Sequence, residues 1–316
     1  MDFSLFFNNF TVAAIQVIIL YIIVAAGFFM DKKGLYTQKT AKASNDLLFM
    51  LITPCVIIEA FMTTEFTSEN TKNLLIAVLG GVITHLVGII LTIPLFRKKE
   101  NSNNAVYKYA CIYGNMGYMA LPLAKAVLGE EGVFYTSAGI IVFQVFAFTH
   151  GIRTMQKGNA ESSKFTVKTL LFNPGVIGVL IGLPFFLLKV NEPDILIRPI
   201  SLIASMNTPL AMLMLGTYMA NADFRTIFKC KEQYLVALVK IILVPTVVFA
   251  IMKLTGLMTG ALLCACIIQA SAPSASNTVM FAAKYGKDTG TASKVVAFVS
   301  FVSILTMPVM IALAQM

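Results

Sequence analysis

Long apolar segments follow one another along the whole chain and are separated by short polar stretches. An α-helix needs about 20 apolar residues to cross roughly 30 Å of hydrocarbon, and ten segments approach or exceed that length. They cover approximately residues 10–30, 41–63, 73–96, 105–129, 132–152, 172–190, 200–221, 234–253, 257–285 and 291–314. The pattern therefore predicts an all-α polytopic membrane protein with ten transmembrane helices, which we number spans 1 to 10.

Composition strengthens this prediction. Hydrophobic residues make up 58% of the chain, charged residues 12%, and the mean hydropathy is +0.81, far from the values of soluble domains. The first apolar run continues without a small-residue cleavage motif, so we expect it to remain as a helix. No span carries a nucleophile and a base at a workable spacing, and we therefore do not expect an enzyme.

The net charge of +9 is distributed in a way that favours membrane topology over nucleic-acid binding. Most of the 24 lysines and arginines lie in or beside the loops after spans 1, 3, 5, 7 and 9, rather than on one helix face. Because short cytoplasmic loops carry an excess of basic residues, these loops are predicted to be cytoplasmic. Both termini are then outside a plasma membrane, the inner membrane in a bacterium.

The two halves of the chain repeat each other. Thr53-Pro54 in span 2 matches Thr208-Pro209 in span 7, and the glycine-bounded turn 129–132 matches the turn 286–290. Five spans per half is an odd number, so the second copy enters the membrane from the opposite side and the repeat is inverted. We predict a first five-helix repeat at residues 1–155, a cytoplasmic linker at 156–168 and a second repeat at 169–316.

Spans 4 and 9 contain residues that interrupt a helix. The first carries Gly114, Asn115, Gly117 and Pro122, and the second carries Ser271, Pro273, Ser274, Ser276 and Asn277. Proline removes a backbone donor and clashes with the preceding turn. Freed backbone groups are tolerated at membrane depth only where they are buried in protein or line a cavity. Two such interruptions at corresponding positions predict a transporter's binding site near mid-membrane.

The chemistry of these interruptions favours an anion. A helix start carries roughly half a positive charge and binds anions readily, so the starts near Pro122 and Pro273 predict an anionic substrate held without a full counter-charge. Gln144 in span 5 is a further candidate, as a cavity residue or as a hydrogen bond between helices. The predicted substrate-binding residues are Asn115, Met116, Gly117, Pro122, Gln144, Gln269, Ser271, Pro273, Ser274, Ser276 and Asn277. The five cysteines and two histidines show no metal-ligand spacing, and no cofactor is expected.

Ionisable residues within the spans are few. Asp46 and Glu59 lie near span ends, where an interfacial position is the simpler interpretation, whereas a cation/proton antiporter would need carboxylates at mid-membrane. Lys240 is expected to extend to the membrane surface, with a substrate contact as the alternative, and Lys125 could reach the outer surface in the same way. His85 is left open between a titrating and a packing role. The four arginines all lie in loops, which favours a monocarboxylate over a dicarboxylate because the bidentate guanidinium is absent from the spans.

At these residues the chain resembles the auxin efflux carrier family, the bacterial relatives of plant PIN-type auxin exporters. The resemblance covers essentially the whole length, and its most specific parts are Gly114-Asn115-Met116-Gly117 with Leu121-Pro122-Leu123, and Gln269-Ala270-Ser271-Ala272-Pro273 with Ser276-Asn277. The long cytoplasmic loop of the plant exporters is absent, so their phosphorylation control is not carried over.

The resemblance implies a fold similar to the sodium/bile-acid symporters, with spans 1, 2, 6 and 7 as a scaffold and spans 3–5 and 8–10 as a transport unit. It also implies an elevator motion, a homodimer, and contact between Asn115 and the substrate carboxylate, with Pro122 and Pro273 defining a helix crossing. Bacterial members are mostly assigned malate, malonate or similar acids.

These observations predict alternating-access transport of a small organic anion. Export needs no partner ion, since an inside-negative potential favours anion exit by about 2.3 kcal/mol per charge per 100 mV. Two alternatives stay open. One is a sodium- or proton-coupled symporter or antiporter, in which Ser271, Ser274 and Thr53 would offer neutral oxygens to sodium, and the other is a transporter-like sensor.

Overall fold

The computed structural model describes residues 3–96, 103–156, 172–188, 194–221 and 227–316. In these ranges the regular secondary structure is helical and no β-strand is formed. The helices are α1 Phe3–Lys32, α2 Gln38–Thr63, α3 Ser68–Leu95, α4 Asn104–Ile112, α5 Met116–Gln156, α6 Pro174–Leu188, α7 Asp194–Ser205, α8 Asn207–Ala220, α9 Lys231–Thr255, α10 Gly260–Ser271, α11 Asn277–Lys284 and α12 Thr289–Ala314.

Seven helical stretches in the described ranges are long and apolar enough to cross a membrane, which confirms a polytopic all-helical membrane protein. They are α1, α2, α3, α5, the pair α7 and α8 counted together, α9 and α12, while α6 and α10 are apolar but shorter. Predicted spans 4 and 5 run together in α5, which bends sharply at Gly129, where φ is 66°. The ten-span count stays a prediction, and all of the predicted linker except Gln156 lies outside the described residues.

Glycines let two pairs of helices approach closely. A Cβ atom added at Gly27 in α1 would overlap the carbonyl of Leu213 in α8, and one added at Gly216 would overlap the carbonyl of Val24. In α6, a Cβ at Gly178 would lie 3.0 Å from the Pro54 backbone of α2. Small residues at such contacts allow backbone-to-backbone packing, which replaces the hydrophobic driving force that is missing in lipid. The pairs α1–α8 and α2–α6 are therefore tightly joined.

Three helices contain π-helical turns, at Leu48–Ile52 in α2, at Met116–Ala120 and Ala147–Gly151 in α5, and at Leu238–Leu243 in α9. Such a turn holds an extra residue and rotates the side chains that follow it, and it is frequent at functional sites. One of these turns begins α5 directly after the first interruption, and another contains Lys240.

Candidate functional site: the helix crossover

Both predicted interruptions are present in the structure. Helix α4 ends at Ile112 and α5 begins at Met116, while α10 ends at Ser271 and α11 begins at Asn277. We call the two connecting segments, residues 113–115 and 272–276, the crossover. Gly114 and Ser274 form an antiparallel bridge inside it.

The two segments of the crossover satisfy each other's backbone groups. The Asn115 N–H donates to the Pro273 carbonyl at 2.7 Å, and the Ala275 N–H donates to the Tyr113 carbonyl at 2.9 Å. Because unpaired amide and carbonyl groups are costly inside a membrane, this mutual pairing allows both helices to break at the same place. Neither interruption could form alone without leaving these four groups unpaired.

Asn115 joins the two segments through its side chain. Its Oδ1 accepts a hydrogen bond from the Tyr118 N–H at 3.3 Å, which caps the start of α5, and its Nδ2 donates to the Ser276 hydroxyl at 3.5 Å. The residue is 4% exposed. An asparagine at this position supplies both the acceptor that a helix start needs and a donor to the opposite segment.

The serines of the second interruption bond to backbone carbonyls. The Ser271 hydroxyl donates to Ile267 O of its own helix at 2.7 Å, and the Ser274 hydroxyl donates to Ala110 O, in the last turn of α4, at 2.8 Å. The last carbonyls of a helix have no partner within it. The Ser274 hydroxyl therefore donates its hydrogen to an otherwise unpaired carbonyl at the end of α4 and not to a ligand. Buried Asn277 Oδ1 has no hydrogen-bond partner among the described residues.

A charged side chain pairs with a free carbonyl at the end of α10. The ammonium of Lys240, in α9, donates to Ala270 O at 2.9 Å, and the residue is completely buried. A Cβ added at Gly114 would lie 3.1 Å from its Nζ, so the ammonium touches the crossover directly. The expectation that Lys240 extends to the membrane surface is wrong. The free carbonyls and the negative end of α10 attract its charge inward.

The structure leaves Lys240 without a carboxylate partner in the part of the chain that it describes. A hydrogen bond to a carbonyl and half a helix charge do not neutralise an ammonium group. The crossover therefore has a lysine ammonium on the side that faces α9, a group that the predicted site without a full counter-charge did not include.

A cavity of about 140 Å³ lies beside the start of α5. We call it the Pro122 cavity. It is lined by Val56, Leu121, Pro122, Lys125, Val133, Ala204, Ser205, Asn207 and Thr208. Asn207 donates from Nδ2 to Gly117 O at 3.5 Å, and its Oδ1 is buried without a partner among the residues described. A Cβ added at Gly117 would meet no atom within 4 Å, so this side of α5 faces open space.

Lys125 is the cationic group of the Pro122 cavity. Its ammonium lies 3.0 Å from a carboxylate oxygen of Glu130 and 3.9 Å from one of Glu59, and its side chain is 41% exposed. Glu59 is itself buried in α2, which differs from the interfacial position expected for it, whereas Asp46 is exposed as an interfacial residue should be.

Two predicted residues lie in other contacts. Gln144 accepts a hydrogen bond from Asn173 Nδ2 at 3.2 Å and so ties α5 to the start of α6, which is the helix-joining role rather than the cavity role. Gln269 packs against Gly139 of α5, where an added Cβ would overlap its amide. His85 is fully buried, with Nδ1 2.7 Å from Gly81 O and its ring stacked on Phe146, which favours the packing role.

The structure thus groups Asn115, Ser276, Ser274 and Pro273 at the crossover, with Met116 buried beside it, and places Pro122 and Gly117 next to the cavity. It adds Lys240, Asn207 and Thr208, which the predicted site lacked. Thr208 could have been found from its match to Thr53 in the repeat. The inward direction of Lys240 had no comparable signal.

The sequence of the chain was also compared with those of known proteins. A family model described as membrane transport protein matches residues 12–311, almost the whole chain. The chain belongs to this family. The match to this transporter family, together with the relatives below, confirms the resemblance to auxin efflux carriers.

Three named proteins are similar to this chain. "Uncharacterized transporter MJ1031" of Methanocaldococcus jannaschii is 24% identical over 86% of this chain and 89% of its own length. The "Putative malonate transporter" of Rhizobium meliloti is 23% identical over 83% of both chains. "Protein PIN-LIKES 7" of Arabidopsis thaliana is 28% identical over 40% of this chain and 33% of its own.

Proposed function

We propose that this protein is a secondary transporter that carries a small organic anion, a carboxylate, across the plasma membrane by alternating access. The observation that carries the proposal is the crossover, where two helices break at one place and pair through the Asn115 and Ala275 amides. Paired breaks of this kind are the usual construction of a transporter's binding site.

Charge supports an anion as the substrate. Helices α5 and α11 both begin at the crossover, and each helix start contributes roughly half a positive charge. Lys240 adds an ammonium group beside the crossover, and Lys125 places a second one in the Pro122 cavity, where two carboxylates lie beside it. A small carboxylate in the space beside Gly117 would meet Lys125 and the side-chain amide of Asn207, which both line the Pro122 cavity.

Cavity size favours a small solute. The Pro122 cavity, at about 140 Å³, lies below the ~300–1,000 Å³ that drug-sized ligands occupy. Malonate is the natural first probe, since a relative is named a putative malonate transporter. Lys240 and Lys125 are cationic groups within the helices, so the absence of arginine from the spans does not exclude a dicarboxylate.

We propose an elevator arrangement of ten spans in two inverted repeats, with the repeat boundaries at residues 1–155 and 169–316. The glycine-joined pairs α1–α8 and α2–α6, with α7, would form the scaffold, and α3 to α5 with α9 to α12 would form the moving unit. The Pro122 cavity supports this division, because α5 lines it from one side and α2, α7 and α8 from the other. Both termini would face outward, and the scaffold would form a homodimer.

The test is uptake of radiolabelled malonate into vesicles that contain the purified protein. An inside-positive potential should drive uptake without sodium or a proton gradient, because an uncoupled anion follows the voltage. Asn115→Ala should abolish most of this uptake. Asn73→Ala is the matched control, since the Asn73 amide bonds to the Tyr135 hydroxyl away from the crossover.

Two results would contradict the proposal. Uptake that is unchanged in Asn115→Ala would remove the crossover from the transport path. If neither malonate nor a panel of other short carboxylates is transported or bound, the anion assignment is wrong. Uptake that requires sodium or a proton gradient would retain the transporter and replace uncoupled movement with symport.

A further inference from the structure

Glu59 is a buried carboxylate that the proposed transport cycle has not yet used. It lies in α2, one turn after the cavity residue Val56, and its side chain is 11% exposed. The cation within 4 Å of it, in the part of the chain described, is Lys125, which lines the Pro122 cavity. A buried charge depends strongly on its partner, because little water is available to replace it.

Lys125 is shared by two carboxylates. Glu130 lies closer, at 3.0 Å, but its side chain is 48% exposed and can turn toward water. Glu59 lies at 3.9 Å, a distance that leaves room for a direct hydrogen bond from Lys125 to another acceptor. One ammonium and two carboxylates sum to a net negative charge, which repels any further anion that approaches Lys125.

We propose that Glu59 is a resident competitor: its carboxylate holds Lys125 when the cavity is empty, and a bound carboxylate substrate takes Lys125 from it. This inference rests on the proposed function. Glu59 thereby weakens substrate binding and sets the concentration at which the site fills. Glu130 contributes less, since solvent screens an exposed carboxylate far more than a buried one.

The contact also joins two parts of the fold. Glu59 belongs to α2, which packs on α6, while Lys125 and Glu130 belong to the first part of α5 and the turn after it. In the arrangement proposed above, α2 is scaffold and α5 moves. Displacement of Glu59 by a substrate carboxylate would break an ionic contact between the two parts at the moment the site is occupied.

The test compares Glu59→Gln with Glu130→Gln, which have the same change in charge and shape. Malonate binding to the purified full-length protein is measured by calorimetry at neutral pH and at two salt concentrations. We expect Glu59→Gln to bind malonate about tenfold more tightly than wild type, because the substitution removes a buried negative charge that lies close to the bound anion. Glu130→Gln should gain about twofold or less, and high salt should remove that gain.

A Lys125→Gln background separates competition from a general effect of charge. There, Glu59→Gln should give no gain, because the group for which Glu59 competes is missing. Without ligand, Lys125→Gln should lower the unfolding temperature by stranding Glu59, and adding Glu59→Gln should restore it. This ligand-free coupling shows that the variants are folded and that the contact exists.

The outcomes distinguish this inference from the proposed function. If wild type binds malonate and Glu59→Gln binds it no more tightly, the competitor role is wrong and the transporter proposal stands. A gain that persists without Lys125 also overturns the competitor role. If wild type and every variant fail to bind malonate or any short carboxylate, the proposed function is wrong. This inference, which rests on it, is then wrong as well.

Discussion

Lys240 lies beside the crossover and Lys125 in the Pro122 cavity, and their charges are compensated in different ways. Lys240 is fully buried and bonds to a carbonyl at the end of α10, whereas Lys125 is partly exposed and lies beside two carboxylates. A carbonyl partner cannot leave its helix, but a carboxylate side chain can turn away. The comparison teaches that Lys240 is a permanent charge at the crossover, because its partner is fixed in a helix, and that Lys125 is an exchangeable one in the Pro122 cavity.

The largest effect is expected from Lys240→Met. The substitution removes the permanent charge and leaves Ala270 O without its donor, which costs about 1–3 kcal/mol of stability, partly offset because a buried charge is also removed. We expect malonate uptake to fall by at least about tenfold, the effect of losing ~1.4 kcal/mol of binding. Uptake and thermal unfolding measure the two effects. Lys253→Met, exposed in the same helix α9, is the control and should change neither.

Displacing Lys240 without removing it gives the next largest effect. In Gly114→Ala the new Cβ would lie 3.1 Å from Nζ, 3.2 Å from Cε and 3.3 Å from Ala272 O. Such overpacking costs about 1–3 kcal/mol, and we expect a lower unfolding temperature together with reduced uptake. For the unfolding temperature, Gly117→Ala is the matched control, since its Cβ meets no atom within 4 Å. Equal destabilisation by both variants would show that backbone freedom, rather than the Lys240 contact, is what Gly114 provides.

Lys125→Gln should affect stability less than Lys240→Met. Its ammonium is 41% exposed, so solvent already screens the ion pairs, and the loss should stay near or below about 1 kcal/mol. Malonate affinity should nevertheless fall, because the Pro122 cavity loses its cation. A stability loss as large as that of Lys240→Met would contradict the distinction between a permanent and an exchangeable charge.

The smallest effect is expected from salt. Raising the ionic strength should weaken the Lys125–Glu130 pair, which is exposed, and leave the Lys240 contact unchanged, since it is shielded from solvent. The unfolding temperature of Glu130→Gln should therefore approach that of wild type at high salt. Lys240→Met should stay below wild type by the same margin at every salt concentration.

Much of the crossover could be predicted from local chemistry. Pro122, Pro273 and the glycines around Asn115 prevent a continuous helix wherever they occur, so both interruptions follow from the residues themselves. The partners of the side chains could not be predicted in this way. Ser274 bonds to Ala110, and Asn115 to Ser276, across more than 160 positions of the chain. Nothing in either local sequence indicates which carbonyl or hydroxyl will be opposite.

By itself the sequence determined which segments enter the membrane and where two of them break, because apolar length and proline geometry act within a few residues. The tertiary structure decided which groups the charged side chains contact. Lys240 lies in a π-helical turn of α9 that packs beside the end of α10, and that packing directs its ammonium inward. Lys125 extends toward Glu59 because α2 and α5 meet at the Pro122 cavity. Side-chain direction depends on helix rotation and on distant neighbours, and these exist only after the helices have assembled.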